Sequence, residues 1–123
     1  MTASGNSFPK TERLKHSSEF RQLLKNESLV REDGVTLYFS KAPSQEKNRI
    51  GIIVSRRVFK RAVDRNRTKR KVREFFRLQK SKFQGRFDLV VKIVDGGNLF
   101  KDGNLERRLT HLFKRAGVFE IKQ

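Results

Sequence analysis

The chain has 123 residues, with 30 Lys and Arg against 13 Asp and Glu, and its formal net charge is +17. It contains no Cys, which excludes a disulfide scaffold, a thiolate zinc site and a cysteine nucleophile, and is typical of a reducing compartment. Residues 1–10 lack the apolar stretch of a secretory signal, and no apolar run approaches the ~20 residues that span a bilayer, so we expect a cytoplasmic protein. The excess of positive charge indicates a polyanionic partner, first of all a nucleic acid.

The first half of the chain predicts one helix and two strands. Apolar residues at helical spacing predict a helix over about residues 17–27, with Phe20 on its apolar stripe. Alternating apolar and polar residues over 35–40 predict a half-buried strand, which ends at Pro43. The continuous apolar run 50–54 predicts a central strand that is buried on both faces.

The second half predicts a long basic helix over residues 62–80 and an amphipathic strand over 87–94. After the turn cluster 95–98, a last helix is indicated by apolar spacing over 105–116, with Gly117 as its stop. The aromatic and leucine residues expected in the core are Phe75, Phe76, Phe87, Leu109 and Phe113.

Taken in order, these elements predict one α/β two-layer sandwich, a sheet with helices packed on it. The domain is expected to cover residues 11–119, between a disordered tail at 1–10 and a C-terminal tail at 120–123. Leu, Ile, Val and Phe supply 37 of the 123 residues, enough for a modest core. The pattern does not give the order of the strands or the handedness of their connections.

Positive charge is concentrated between Arg56 and Arg77, where eleven Lys or Arg accompany only two acids. At ~100° per residue, one stripe of the predicted basic helix carries an amide and four cations beside its apolar stripe. These residues are Asn66, Lys69, Arg70, Arg73 and Arg77. Arg outnumbers Lys in this block, which favours bidentate phosphate contacts and stacking on bases. A solvated face kept for solubility is the alternative, but the acids that intersperse such a surface are missing.

Other functional classes are disfavoured by what the chain lacks. Strands precede and follow the basic helix, so no helix-turn-helix pair is predicted, which counts against a DNA-binding regulator. No constellation of acids, His or Cys suits a free-standing protein nuclease. His16 and His111 have no partner ligands at metal spacing, and Asp64 is interpreted as an acid at a helix start rather than a metal ligand.

The segment from Arg49 to Glu74 resembles the signature of the bacterial ribonuclease P protein component. That signature is a strand with Gly and a terminal Ser, two basic residues, Ala-Val, then Arg-Asn-Arg, Lys-Arg and Arg-Glu. Upstream, Arg13-Leu14-Lys15 followed by Ser18-Glu19-Phe20 is similar to the N-terminal segment of the family, and the 105–113 helix is similar to its last helix. The resemblance spans about residues 13–115.

The resemblance implies an accessory subunit of an RNA-based endoribonuclease. A large catalytic RNA would remove the 5′ leader from precursor tRNA, and the protein would bind both molecules without catalytic residues or a metal site of its own. Mg²⁺ would be bound mainly by RNA phosphates, since a chain this basic cannot assemble a carboxylate cage. The implied fold has a mostly antiparallel sheet of about four strands, three helices and one βαβ crossover, which is left-handed in the family.

Two sets of site residues are implied by matching positions. The residues expected to contact the catalytic RNA are Arg61, Arg65, Asn66, Arg67, Lys69, Arg70 and Arg73. The residues expected to line a cleft for the single-stranded leader are Phe20, Leu24, Tyr38, Ile53 and Arg57. From the residues alone, Phe20 fits an ordinary core position equally well, and Tyr38 and Arg57 could be solvated. Relatives often have Gly and Asn in the loop where this chain has Val58-Phe59-Lys60-Arg61.

A second function stays open at this point. A ribosomal or other structural RNA-binding protein shares the charge and the small size but needs no leader cleft. The partners expected under the first interpretation are the catalytic RNA and precursor tRNA, with no membrane and no DNA.

Overall fold

A computed structural model describes most of the chain. The described residues are 13–14, 17–25, 28–32, 34–41, 47–96 and 103–119. The predicted tails at 1–10 and 120–123, together with Pro43 and the end of the predicted turn at 97–98, lie outside these ranges. No helix within them is both long enough and apolar enough to cross a bilayer.

The described residues form four strands and three α-helices, as predicted. In chain order they are α1 (Ser17–Lys25), β1 (Leu29–Glu32), β2 (Val35–Lys41), β3 (Arg49–Val54), α2 (Ala62–Leu78), β4 (Phe87–Ile93) and α3 (Asn104–Arg115). A short 3₁₀ helix, Lys80–Lys82, follows α2 and replaces the last turn of the longer helix that the sequence predicts.

The strands form one mixed sheet in the order β1-β2-β4-β3. β1 pairs with β2, and β2 with β4, in antiparallel fashion, whereas β3 and β4 are parallel neighbours with Ile52 opposite Val91. Because α2 connects β3 to β4, these three elements form the predicted βαβ crossover. An isolated parallel bridge between Arg13 and Ile50 adds the N-terminal segment to the outer edge of β3.

Three details of the predicted sheet are corrected by the structure. β3 is an edge strand and not a central one, and β4 takes the central place. The apolar run of β3 reflects cover on its two faces, where Ile52 and Ile53 pack into different clusters, and not strands on both sides. β2 is buried on both faces at its start, where Thr36 is 3% exposed, and only partly buried over residues 38–40. β1 was not located from the sequence because its four residues show no alternation.

The larger core lies between one face of the sheet and helices α2 and α3. Alternate residues of β4 from Phe87 to Ile93 supply the floor, and all five residues predicted for the core are buried in it. Aromatic rings fill its centre, where Phe113 lies 5.4 Å from Phe75 and 5.1 Å from Phe119, measured between ring centroids. The helix α1 lies on the opposite face, over a smaller cluster that includes Val90. The two faces of the sheet therefore carry different surfaces.

Candidate RNA interface

One side of α2 is fixed to the core, and this leaves its other side for cations. The buried residues Thr68, Val72, Phe75 and Phe76 recur at helical spacing and face the sheet. The buried hydroxyl of Thr68 donates to the carbonyl of Asp64, 2.9 Å away, so it does not leave an unpaired polar group in the core. The basic stripe of α2 therefore has a fixed orientation.

The seven residues predicted to contact the catalytic RNA all lie on α2 or at its start. Arg61, Asn66, Arg67 and Arg70 are exposed, and Arg65, Lys69 and Arg73 are half-buried. The acids on this helix pair at its two ends only. Oδ2 of Asp64 lies 3.9 Å from Nε of Arg61. Glu74 pairs with Arg77, so one of the four cations of the predicted stripe has an acidic partner on the same helix. Within the described ranges, no carboxylate forms an ion pair with Arg65, Arg70 or Arg73.

The Glu74–Arg77 pair is a local, exposed interaction. The side-chain hydrogen bond to Arg77 lowers the pKa of Glu74, and the same bond raises the pKa of Arg77. The Nε of Arg77 donates to Oε1 of Glu74 at 3.1 Å, and Nη2 donates to Oε2. The Glu74 carboxylate therefore offsets part of the positive charge at the C-terminal end of the helix.

Arg73 has a cationic neighbour that sequence reasoning did not assign to the site. Burial lowers the pKa of Arg73, and the positive charge of Arg13 lowers it further. Arg13 is held on the edge of β3, where the amide of Leu14 donates to the carbonyl of Ile50 at 3.1 Å. The positive charges of two residues from distant parts of the chain therefore act on one another.

Arg65 has a structural partner as well as a cationic role. Its Nη1 donates to the carbonyl oxygens of Phe59 and Lys60, at 2.8 and 2.9 Å. These bonds tie the loop before α2 to the first turns of the helix. Its contact with RNA stays a prediction.

Four of the five predicted cleft residues come together on the face of the sheet that carries α1. Phe20, Leu24, Tyr38 and Ile53 are half-buried and pack around the buried residues Leu14, Leu23 and Val90. We call these four residues the apolar cleft. The fifth, Arg57, is exposed in the turn after β3 and lies outside this apolar cluster.

The floor of the apolar cleft is a glycine. A Cβ placed on Gly51 would lie 2.3 Å from Cζ of Phe20, so the ring rests directly on the backbone of β3. Sequence reasoning did not single out this residue, although a glycine within an apolar strand indicates a close approach of another group.

An ion cluster holds α1 beside the apolar cleft. Arg49 donates from Nε and Nη2 to the two oxygens of Asp88, each at 2.9 Å, and its Nη1 lies 2.8 Å from Oε2 of Glu19 on α1. The hydrogen bond to Asp88 is the main cause that raises the pKa of Arg49. The surface beside this cluster opens into a polar groove of about 540 Å³, which Gln22 and Ser40 also line.

The basic helix and the apolar cleft lie on opposite faces of the sheet, with the edge of β3 between them. At that edge the positive charge of Arg13 acts on Arg73 of α2, whereas the adjacent Leu14 is buried under α1. The described residues contain no group of three or more His, Asp or Glu that could hold a metal ion. The fold and the site define a small α+β protein with a polycationic helix on one face of its sheet and a half-buried apolar cleft on the other.

Comparisons with known proteins agree with this description. The Ribonuclease P family model matches residues 8–117. The ribonuclease P protein component of Synechocystis sp. is 30% identical over 113 residues, covering 92% of this chain and 91% of the relative. That of Nitrosococcus oceani is 40% identical over 116 residues, covering 94% and 92%. The chain belongs to the family of the bacterial ribonuclease P protein component.

Solved structures support the same assignment. The RNase P protein of Staphylococcus aureus superimposes with a TM-score of 0.80 at 28% identity, covering 90% of this chain and 100% of that one. The RNase P protein of Thermotoga maritima, in complex with 1-(4-fluorophenyl)-2-thiourea, gives a TM-score of 0.75 at 29% identity, covering 84% and 98%. The α+β fold is therefore that of the family.

Proposed function

We propose that this chain is the accessory subunit of a ribonuclease P in which RNA cleaves the phosphodiester bond and the protein supplies binding. Its family makes it a component of a nuclease complex whose partner is the ribonuclease P RNA. The proposed substrate is precursor tRNA, from which the complex removes the 5′ leader. The observation that carries the proposal is the combination, in one small domain, of a polycationic helix on one face of the sheet and a half-buried apolar cleft on the other.

In the proposed complex, the cations of α2 bind phosphates of the catalytic RNA. Side chains three or four residues apart on a helix are ~5–6 Å apart, a spacing comparable to that of phosphates along a strand. Asn66, exposed among these cations, both donates and accepts hydrogen bonds, which suits a 2′-hydroxyl or a base edge. This surface thus positions the protein on a folded RNA.

The apolar cleft is proposed to hold the single-stranded leader. Bases would stack on the partly exposed rings of Phe20 and Tyr38, an interaction worth ~1–3 kcal/mol per base with little sequence preference. Arg57, in the turn after β3, would contact the leader backbone. A substrate that carries a leader would then bind more tightly than the mature product.

The metal chemistry is assigned to the RNA. In the proposed complex the Mg²⁺ ion would be held mainly by RNA phosphates, since a chain with this excess of positive charge cannot assemble a carboxylate cage. When bound there, Mg²⁺ supplies the activation of the attacking water. The protein contributes positive charge that screens RNA phosphates and so reduces the Mg²⁺ concentration that the complex needs. We assign this role to residues 11–119 acting in the cytoplasm, with no DNA or membrane partner.

Reconstitution tests the proposal. The full chain, ribonuclease P RNA and precursor tRNA are mixed at a low Mg²⁺ concentration at which the RNA alone is inactive, and release of the mature 5′ end is followed. Stimulated cleavage is the expected result. A structural RNA-binding protein would bind RNA without stimulation, and cleavage by the protein alone after complete removal of RNA would contradict an RNA-based reaction.

A further inference from the structure

The loop between β3 and α2 presents a group of cations that we call the loop cations. They are Arg56, Lys60 and Arg61, and all three are exposed. The loop begins with a hydrogen-bonded turn, in which the carbonyl of Ser55 accepts the amides of Val58 at 3.1 Å and Phe59 at 3.3 Å. A single short turn does not by itself fix the residues that follow it.

Phe59 fastens this loop to the neighbouring strand end. A Cβ placed on Gly96 would lie 2.5 Å from Cε1 and 2.6 Å from Cζ of Phe59, so the ring lies directly on the backbone that follows β4. That backbone is itself held in place, because the carbonyl of Gly34 accepts the amides of Val94 at 2.8 Å and Asp95 at 3.3 Å. The ring therefore packs next to backbone that is hydrogen-bonded to Gly34.

Arg65 fastens the same loop from the other side. Its Nη1 donates to the carbonyls of Phe59 and Lys60, and these bonds join the loop to the first turns of α2. The backbone at Lys60 is thus held by two contacts. The Phe59 ring packs on Gly96, and the guanidinium of Arg65 donates to the loop carbonyls.

We propose that Phe59 is a positioning residue for RNA binding, which holds the loop cations in one arrangement by packing on Gly96. This inference rests on the proposed function, because it takes the ribonuclease P RNA as the ligand. The contact between Phe59 and Gly96 joins residues that are distant in the chain, and it reduces the ordering that RNA binding would otherwise require.

The salt dependence of RNA binding tests the proposal. The dissociation constant of the full chain for ribonuclease P RNA is measured at several salt concentrations, where each neutralised phosphate contributes ~0.7–0.9 to the log–log slope. We expect Phe59→Ala to reduce the magnitude of that slope by about 1–3 and to weaken binding roughly tenfold at physiological salt. A variant that only lost stability would keep the slope.

Gly96→Ala approaches the same contact from the other partner. Its new methyl group overlaps the Phe59 ring, so it should reduce the slope as Phe59→Ala does. The double variant should behave like Phe59→Ala alone, since no ring is left to overlap. Additive effects, or a wild-type slope in both folded single variants, would overturn the positioning role.

A control variant replaces an aromatic ring far from the loop by a smaller apolar side chain. Phe83 is half-buried and lies beyond the other end of α2, a helix of 17 residues and so ~25 Å long. Phe83→Leu should lower the melting temperature and leave the slope unchanged; a reduced slope here would contradict the inference. If the wild-type chain shows no salt-dependent binding of the RNA, the proposed function itself fails, which is a distinct result.

Discussion

Replacing Gly51 with Ala tests the apolar cleft directly, because the change moves one aromatic ring and alters no charge. The new Cβ would lie 2.3 Å from Cζ and 2.5 Å from Cε1 of Phe20, whereas carbon atoms in contact are ~3.5–4.0 Å apart. The ring must therefore move by roughly 1 Å or more. The backbone of β3 cannot yield easily, since it is paired with β4 and Cβ of Leu14 lies 3.3 Å from the new methyl group.

The assay compares the affinities of the reconstituted complex for precursor and mature tRNA. Loss of one stacking platform, worth ~1–3 kcal/mol, should weaken precursor binding roughly 5- to 150-fold and leave the affinity for mature tRNA unchanged. Phe20→Ala should show the same selective loss, and adding Gly51→Ala to it should cost no further precursor affinity.

Thermal unfolding of each variant separates this effect from a loss of folded protein, since overpacking costs ~1–3 kcal/mol. Equal losses for the two tRNAs would refute the assignment of the apolar cleft to the leader. An unchanged precursor affinity in the folded Phe20→Ala variant would refute it as well.

Three further predictions concern charge and packing. Arg49→Met removes the guanidinium that Asp88 and Glu19 share, so urea denaturation should show that the free energy of unfolding falls by about 1–3 kcal/mol. The loss should be smaller for Arg49→Lys, and a Met variant as stable as the wild type would contradict this prediction. Glu74→Gln removes the carboxylate that pairs with Arg77 and should strengthen RNA binding, with a log–log salt slope that is steeper by ~0.7–0.9; an identical slope would show that the guanidinium of Arg77 does not contact a phosphate. Phe113→Ala removes a fully buried ring and should cost about 3–5 kcal/mol in the free energy of unfolding by the same urea assay, and a cost below about 1 kcal/mol would mean that the aromatic core repacks.

Elements with strong periodicity were predictable from the sequence, and those without it were not. Apolar residues at helical spacing located α2 and α3, and strict alternation located β4. The four residues of β1 carry no such pattern, because that strand is short and lies at the edge of the sheet. The place of β3 in the sheet was predicted wrongly, since an apolar run reports that both faces are covered and says nothing about which strands lie alongside.

The same difference between local patterns and long-range contacts applies to the residues of the site. The exposure of Arg70 follows from its spacing relative to the buried face of α2. The approach of Arg13 to Arg73 joins residues 60 positions apart, and no local pattern carries that information. The hydrogen bonds of Arg65 to loop carbonyls depend on the path of the loop, which composition does not give. Membership of the family was predictable because its signature is a continuous run of sequence.

Arg13 and Leu14 are adjacent in the chain, and their side chains belong to different surfaces of the protein. An insertion or deletion of one residue at this point should therefore disturb both surfaces. Extended backbone directs successive side chains to opposite sides, so one inserted or deleted residue would exchange their destinations. The side chain of Arg13 would then be directed at the apolar cluster around Phe20, and the side chain of Leu14 at Arg73. Substitutions at Arg13 that keep a long hydrophilic side chain should be tolerated here, whereas a shift of a single residue would damage both surfaces at once.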